Sequence, residues 1–293
     1  MIIKKGSSKK RITVLFRWTG HATYTLSVLI GLLDEKLDTD KFTVRTAETE
    51  EEIIREARSD NLITVLAYSF CSPQFEDIKR EIKLLKETLG PKLLIICGGP
   101  HTTALPEDVL KAGADVVFTG EAEESFPSFL NVLYENNGIP DEKIIRPKPL
   151  DDFDDYPPFA YKRGFFAPIE IRRGCTTGCA FCQTPRIFKN VKERSIGYIS
   201  KYTRYLSDAR RDAVYFLTPD ALSYGSKDPI DLESLESMLK SIHGTDLKIN
   251  LGNFPSEISP GKLARFRKRR QYLRSTWGTR RSCSADKAEA TRS

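Results

Sequence analysis

The chain has 293 residues, of which 40% are hydrophobic and 29% charged, with a formal net charge of +6 at pH 7 and six cysteines. No stretch approaches the roughly 18 to 20 apolar residues of a membrane span, and the lysine-rich start is not followed by an apolar run, so the composition argues against a membrane partner and for the cytoplasm. Six cysteines without a regular framework argue against a secreted disulfide scaffold and for a reducing compartment in which a cysteine cluster binds metal.

The first segment alternates apolar runs with helical patterns. "RITVLFRW" (11–18) reads as a buried strand, and "TYTLSVLIGLLDEKL" (23–37) as a helix with apolar residues at helical spacing. "FTVRTA" is a short strand, "TEEEIIREAR" a helix with an acidic first turn, and "NLITVLAYS" a strand. "QFEDIKREIKLLKETLG" is an amphipathic helix ending at Gly90, and "KLLIICGG" the next strand. "LPEDVLKAG" then gives a helix, "ADVVFTG" a fifth strand and "EESFPSFLNVLYENNG" a closing helix. Strict alternation means parallel strands joined by crossovers, so the spacing predicts a doubly wound five-stranded sheet over 11–138.

"IIRPKPLDDFDDYPPFAYKRG" (144–164) breaks the alternation with four prolines and reads as a linker between a first domain, 1–143, and a second, 165–261. In the second, "FAPIEIRRGC" is a strand, "SIGYISKYTRYLSDAR" a helix, "DAVYFLTPD" a strand, "DLESLESMLKSIHG" a helix and "LKINLGNFP" a strand. These β/α units predict the start of a barrel-like parallel sheet. From Lys262 the text turns Arg/Ser-rich. Residues 262–293 hold eleven Lys/Arg against two Asp/Glu, while the rest of the chain carries 35 against 38, so the basicity belongs to the tail. A basic run without interleaved stacking aromatics argues for a solvated, disordered tail over a nucleic-acid arm.

Three cysteines, Cys175, Cys179 and Cys182, fall within eight residues directly after a strand, whereas Cys71, Cys97 and Cys283 are scattered. Structural zinc takes four ligands, commonly two pairs, and no second Cys/His pair is present. A [4Fe-4S] cube held by three thiolates leaves its fourth iron open to a ligand from outside the protein. Gly174 and Gly178 relieve the backbone of a loop that must wrap such a cube.

On Cys175-x3-Cys179-x-Phe181-Cys182 the sequence resembles the radical S-adenosylmethionine (SAM) superfamily. The resemblance implies that the open iron chelates SAM, whose reductive cleavage yields a 5'-deoxyadenosyl radical that abstracts hydrogen from substrate, with ferredoxin or flavodoxin as electron donor. It also implies that Phe181 flanks the adenine. Relatives often carry Gly-Gly-Glu after the second barrel strand to hold the SAM amino group; here "YFLTPDA" offers Thr218 and Asp220, with Asp220 the candidate acceptor and candidate catalytic group, against a reading as a helix cap. Glu257 is a further acid near the third strand, read chiefly as an exposed loop residue.

The first domain resembles the cobalamin (B12)-binding domain that precedes the radical SAM domain in one subgroup. The resemblance puts Ser69, Gly98, Gly99, Gly120 and Glu121, all in loops after strands three to five, along the cofactor's nucleotide tail. The family's Asp-x-His-x-x-Gly loop is not matched: "TGHATY" keeps His21 but has Thr19 and Tyr24 where the aspartate and glycine belong, which argues against His21 on cobalt. His101 is read as structural. The expected fold class is thus α/β: a flavodoxin-like, cobalamin-binding-type sheet followed by a partial radical SAM (β/α) barrel. The family's barrel has about six β/α units, and only three strands precede the break near Gly261, which reads as a truncated or frame-shifted end. The expected activity is radical SAM chemistry on an unidentified substrate, with cobalamin-dependent methyl transfer as the natural subclass. The alternatives are a non-catalytic corrinoid- or ligand-binding protein with a vestigial cluster, and a zinc-stabilised RNA-binding protein.

Overall fold

A computed structural model describes residues 11–59, 63–136, 138–176, 178–188, 190–225 and 232–253. Glu257, Cys283 and the basic tail lie outside the described residues. The chain divides into two compact units, Met1–Arg194 and Ser195–Ser293.

The first unit is built on β1 (Ile12–Arg17), β2 (Phe42–Ala47), β3 (Ile63–Ser69), β4 (Leu93–Gly98), β5 (Val116–Phe118) and β6 (Ile144–Ile145), interleaved with α1 (Thr23–Lys36), α2 (Glu50–Ala57), α3 (Phe75–Leu89), α4 (Pro100–Ala104), α5 (Pro106–Lys111) and α6 (Ser125–Asn136). The strands form one parallel sheet in the order β2-β1-β3-β4-β5-β6. This corrects the expected five strands. β6 comes from the proline-rich stretch and is only two residues long, pairing Val117 with Ile144 and Phe118 with Ile145. A run that short carries no periodicity, so only the waiting edge of β5 makes it a strand.

Side chains alternate across the sheet, and each face meets its own helices. Val14 and Phe16 of β1 join Leu26, Ile30 and Leu33 of α1 and Phe126, Phe129 and Leu130 of α6. Leu15, between them in sequence, joins Ile53 of α2, Ile82 and Leu85 of α3 and Val109 of α5 on the opposite face. The α3 pattern places Ile78, Ile82, Leu85 and Leu89 on one stripe, with Glu76 and Asp77 in the first turn where the helix dipole favours acid. Helix α2 starts at Thr49, whose hydroxyl accepts from the Glu52 amide at 3.3 Å.

Chain connections leave β1 toward β2 on one side and β3 toward β4 on the other. The reversal opens a crevice at the strand carboxyl ends, the position at which doubly wound sheets hold ligands. After β6, the segment 160–165 is tied to α1: Ser27 donates to the Phe165 carbonyl at 2.8 Å and accepts from the Ala160 amide at 3.2 Å. The unit ends with β7 (Ile169–Glu170) and an antiparallel hairpin of β8 (Arg172–Arg173) and β9 (Lys192–Glu193), between which α7 (Thr184–Ile187) lies.

In the second unit, α8 (Ile196–Asp208), β10 (Ala213–Leu217), α9 (Leu232–Ile242) and β11 (Lys248–Asn250) follow in β/α alternation. Ser195 caps α8 by accepting from the Tyr198 amide, and β10 pairs with β11 in parallel, Val214 opposite Ile249. No helix among the described residues is long and apolar enough to cross a membrane.

Candidate functional site

A cavity of about 190 Å3 opens at the carboxyl ends of β1, β3, β4 and β5. Ser69, Gly98, Gly99, Gly120 and Glu121 all line it, together with apolar side chains such as Phe16, Leu29 and Phe118. The loop after β4 approaches its neighbours so closely that only a glycine serves at position 99. There φ is +94°, and a Cβ would lie 2.8 Å from the Phe70 amide nitrogen and 2.9 Å from its oxygen. Thr103, one turn into the helix that follows, accepts from the Gly120 amide at 3.0 Å and so joins the β4 and β5 loops. Cys97 also borders the cavity, but burial pushes its thiol far up, so it stays protonated. His21 is exposed, whereas His101 is buried between Phe70 and Phe75 with Nδ1 3.0 Å from the Ser72 hydroxyl.

One rim of the cavity is a buried charge cluster that the sequence analysis missed except for Glu121. The Arg173 guanidinium, 6% exposed, donates to Glu170 Oε2 from Nε and Nη2 at 2.9 and 2.6 Å. It also donates from Nη1 to Glu121 Oε1 at 3.0 Å and Glu123 Oε1 at 2.6 Å. Lys192 binds both oxygens of Glu121 at 2.8 and 2.6 Å, and the Tyr24 hydroxyl donates to Glu170 Oε2 at 2.7 Å. Burial alone would raise the Glu123 carboxyl, but the Arg173 charge and hydrogen bond outweigh it and hold Glu123 below its ordinary range. Burial, reinforced by Glu170, holds the Tyr24 hydroxyl well above its ordinary range. Tyr24 thus supplies a hydrogen-bond partner for Glu170. No periodicity marks these residues, because charged groups far apart in sequence announce themselves only once folded.

The cysteines lie on the hairpin that begins at Arg173. Its base is closed by the β8/β9 pairing and by the Arg172–Glu193 ion pair at 2.6 Å. Gly174 turns the chain at φ +84°, where a Cβ would sit 2.8 Å from the Asn190 carbonyl oxygen. Cys175, Cys179 and Cys182 are half-buried. The Cys182 amide donates to the Cys179 carbonyl at 3.0 Å, and hydrogen bonds from the Thr184 hydroxyl and amide hold the Cys182 thiol below its ordinary range. Three thiols on a loop closed at both ends, one of them biased toward thiolate, suit an iron-sulfur cluster in donor chemistry. Among the described residues no three His, Cys, Asp or Glu side chains converge where a metal ion could be held.

The remaining sequence candidates are dispersed. Phe181 is 92% exposed at the hairpin tip. In the second unit, Thr218 is 1% exposed and Asp220 caps a short 3-10 turn: its Oδ1 accepts from the Leu222 amide at 3.0 Å and its Oδ2 from the Ser223 hydroxyl. Both Asp220 oxygens are thus engaged in the local turn.

Sheet order, switch-point cavity and glycine-lined loops define an α/β protein with a doubly wound front domain, and residues 23–130 match the B12 binding domain family. Among curated proteins, the chain is similar to a ribosomal protein uS12 methylthiotransferase, RimO, of Cutibacterium acnes: 32% identical over 101 residues, 33% of this chain and 21% of that protein. A RimO of Caldicellulosiruptor saccharolyticus is 23% identical over 210 residues, 68% of this chain and 46% of that one. A solved structure, the N-terminal domain of a hypothetical protein of Thermotoga maritima, shares 32% identity over 44% of this chain and 94% of its own, with a TM-score of 0.32. The chain spans between about a fifth and just under half of the length of these curated relatives.

Proposed function

We propose that the protein is a radical SAM enzyme whose front domain holds a corrinoid, acting to transfer a methyl-bearing group to an unidentified substrate. The observation that carries the reading is positional: the Cys175–Cys182 motif sits on a hairpin that also walls the cavity of a domain matching the B12-binding family, with Ile187 and Phe188 among the lining residues. Relatives named as methylthiotransferases support the reaction class.

Cys175, Cys179 and Cys182 would hold the cluster, whose chemistry would be to supply one electron for cleavage of the SAM sulfonium. The chain's own contribution is preparation. Gly174 and the β8/β9 base fix where the thiols start, Thr184 favours the Cys182 thiolate, and the apolar cavity excludes water from a bound ligand. The Gly98–Gly99 and Gly120–Glu121 backbones would border the nucleotide tail of the corrinoid. A ferredoxin- or flavodoxin-class donor is implied by the one-electron step.

The test is anaerobic reconstitution with iron and sulfide followed by spin resonance of the reduced sample. A cluster spectrum that shifts on adding SAM, and that is lost in Cys179→Ala, is the expected result. An unshifted spectrum favours the non-catalytic binding protein, and a sample that takes up no iron overturns the reading. Hydroxocobalamin retained through gel filtration, read by its visible absorbance, tests the front domain separately.

A further inference from the structure

We propose that Arg173 is a positioning residue that seats the cysteine hairpin as a wall of the cavity, so that a ligand in the cavity and the opening of the hairpin are coupled. The coupling to a corrinoid rests on the functional reading above, whereas the seating does not.

Both strands of the hairpin are pinned to the same loop of the front sheet. Arg173 in β8 reaches Glu121 and Glu123, and Lys192, its partner in the β8/β9 register, reaches Glu121. Arg173 also ties Glu170 at the end of β7, and Phe188, beyond α7, lays its ring 5.3 Å from the guanidinium carbon. A third tether comes from Gln183, which donates to the Pro100 carbonyl at 3.0 Å at the start of α4. These contacts bring Ile187 and Phe188 to the cavity wall, at the end of a helix that begins two residues past Cys182.

A buried arginine shared by three carboxylates is a steep seat. Its guanidinium leaves the site only by abandoning Glu123 and Glu170 in a low-dielectric interior, which disfavours partial release of the hairpin. A molecule in the cavity touches the hairpin only when the hairpin is seated. Its binding therefore draws on the seated state, and by linkage the hairpin opens more rarely. With a ligand at 100 times its dissociation constant, full coupling slows amide exchange through the opened hairpin by about 100-fold.

The experiment measures amide hydrogen exchange of the hairpin strands, residues 172–173 and 192–193, by mass spectrometry, in the full chain, with and without hydroxocobalamin. Wild type is compared with Arg173→Met and with the triple variant Arg173→Met, Glu123→Gln, Glu170→Gln, which removes the stranded charges. Amide exchange of β1, β3 and β4 reports whether the front sheet survives. The expected result is that both variants keep a protected front sheet, exchange the hairpin amides roughly ten-fold faster than wild type, and lose the slowing that hydroxocobalamin gives the wild type. Wild-type rates in the triple variant would show that stranded charge, not the lost guanidinium, freed the hairpin, and would overturn the proposal. Equal hydroxocobalamin slowing in wild type and variants would overturn the coupling. If hydroxocobalamin does not bind the wild type, the corrinoid reading fails, and the ligand-free rates still decide the seating.

Discussion

Cys182 lies at the entrance to α7, where the Thr184 hydroxyl and amide donate toward its sulfur and favour the thiolate. The nucleophile in alkylation is the thiolate, so Thr184→Val, which keeps the shape and deletes the hydroxyl, should slow modification of Cys182 by iodoacetamide near pH 7 about two- to ten-fold. Peptide mapping of wild type and variant side by side checks this, and an unchanged Cys182 rate would remove the hydroxyl from the account. At this scale the three cysteines were legible from spacing alone, and so was the need for glycine at 174. Thr184 was not, because a hydroxyl two positions after a cysteine means nothing until a helix start folds it back. Asp220 shows the reverse: both of its sequence readings were open, and the fold engages its two oxygens in a turn cap.

The helices of the front sheet divide their labour by face. Ile82 of α3 is fully buried on the face with Leu15 and Leu66, away from the layer that contains Phe16 and Phe118 of the cavity wall. Ile82→Ala should therefore lower unfolding free energy by roughly 2–5 kcal/mol, through lost transfer energy and an unfilled hole, while leaving the hydroxocobalamin binding proposed for the cavity within about two-fold of wild type. Denaturant titration and an absorbance binding curve on the same preparation test it; a parallel loss of affinity would mean that the two faces are not independent. Elements with a strong apolar period, such as α3 and β1 to β4, were readable because hydrophobic burial writes the same period into sequence and structure. β6, α4 and the broken strand pair β7/β8 were not. Elements of two to five residues are selected by an available sheet edge or by the turn before them.

At the scale of the whole unit, the buried charge cluster makes stability depend on acid. Glu123 has a folded pKa below its ordinary value of 4.5, so its ionised form favours the native state. That contribution is present above about pH 4.5 and is lost as pH falls through the folded value. The stability gap between wild type and Glu123→Gln, measured by denaturant midpoints, should accordingly be widest near pH 7 and shrink below about pH 4.5. A gap that stays constant down to pH 3 would show that the carboxylate charge contributes nothing.

The sequence by itself determined the alternating α/β plan of the front sheet and the three-thiol motif on one loop. Both are local statements, fixed by burial periods and by spacing within eight residues. Only the tertiary structure decided that Ser69, Gly98, Gly99, Gly120 and Glu121 share one cavity, and that Arg173 joins the cysteine hairpin to Glu121, Glu123 and Glu170 at its rim. The reason is physical. A buried ion cluster exists because charges from distant segments must be paired once water is removed, and no pattern along the chain records which will meet.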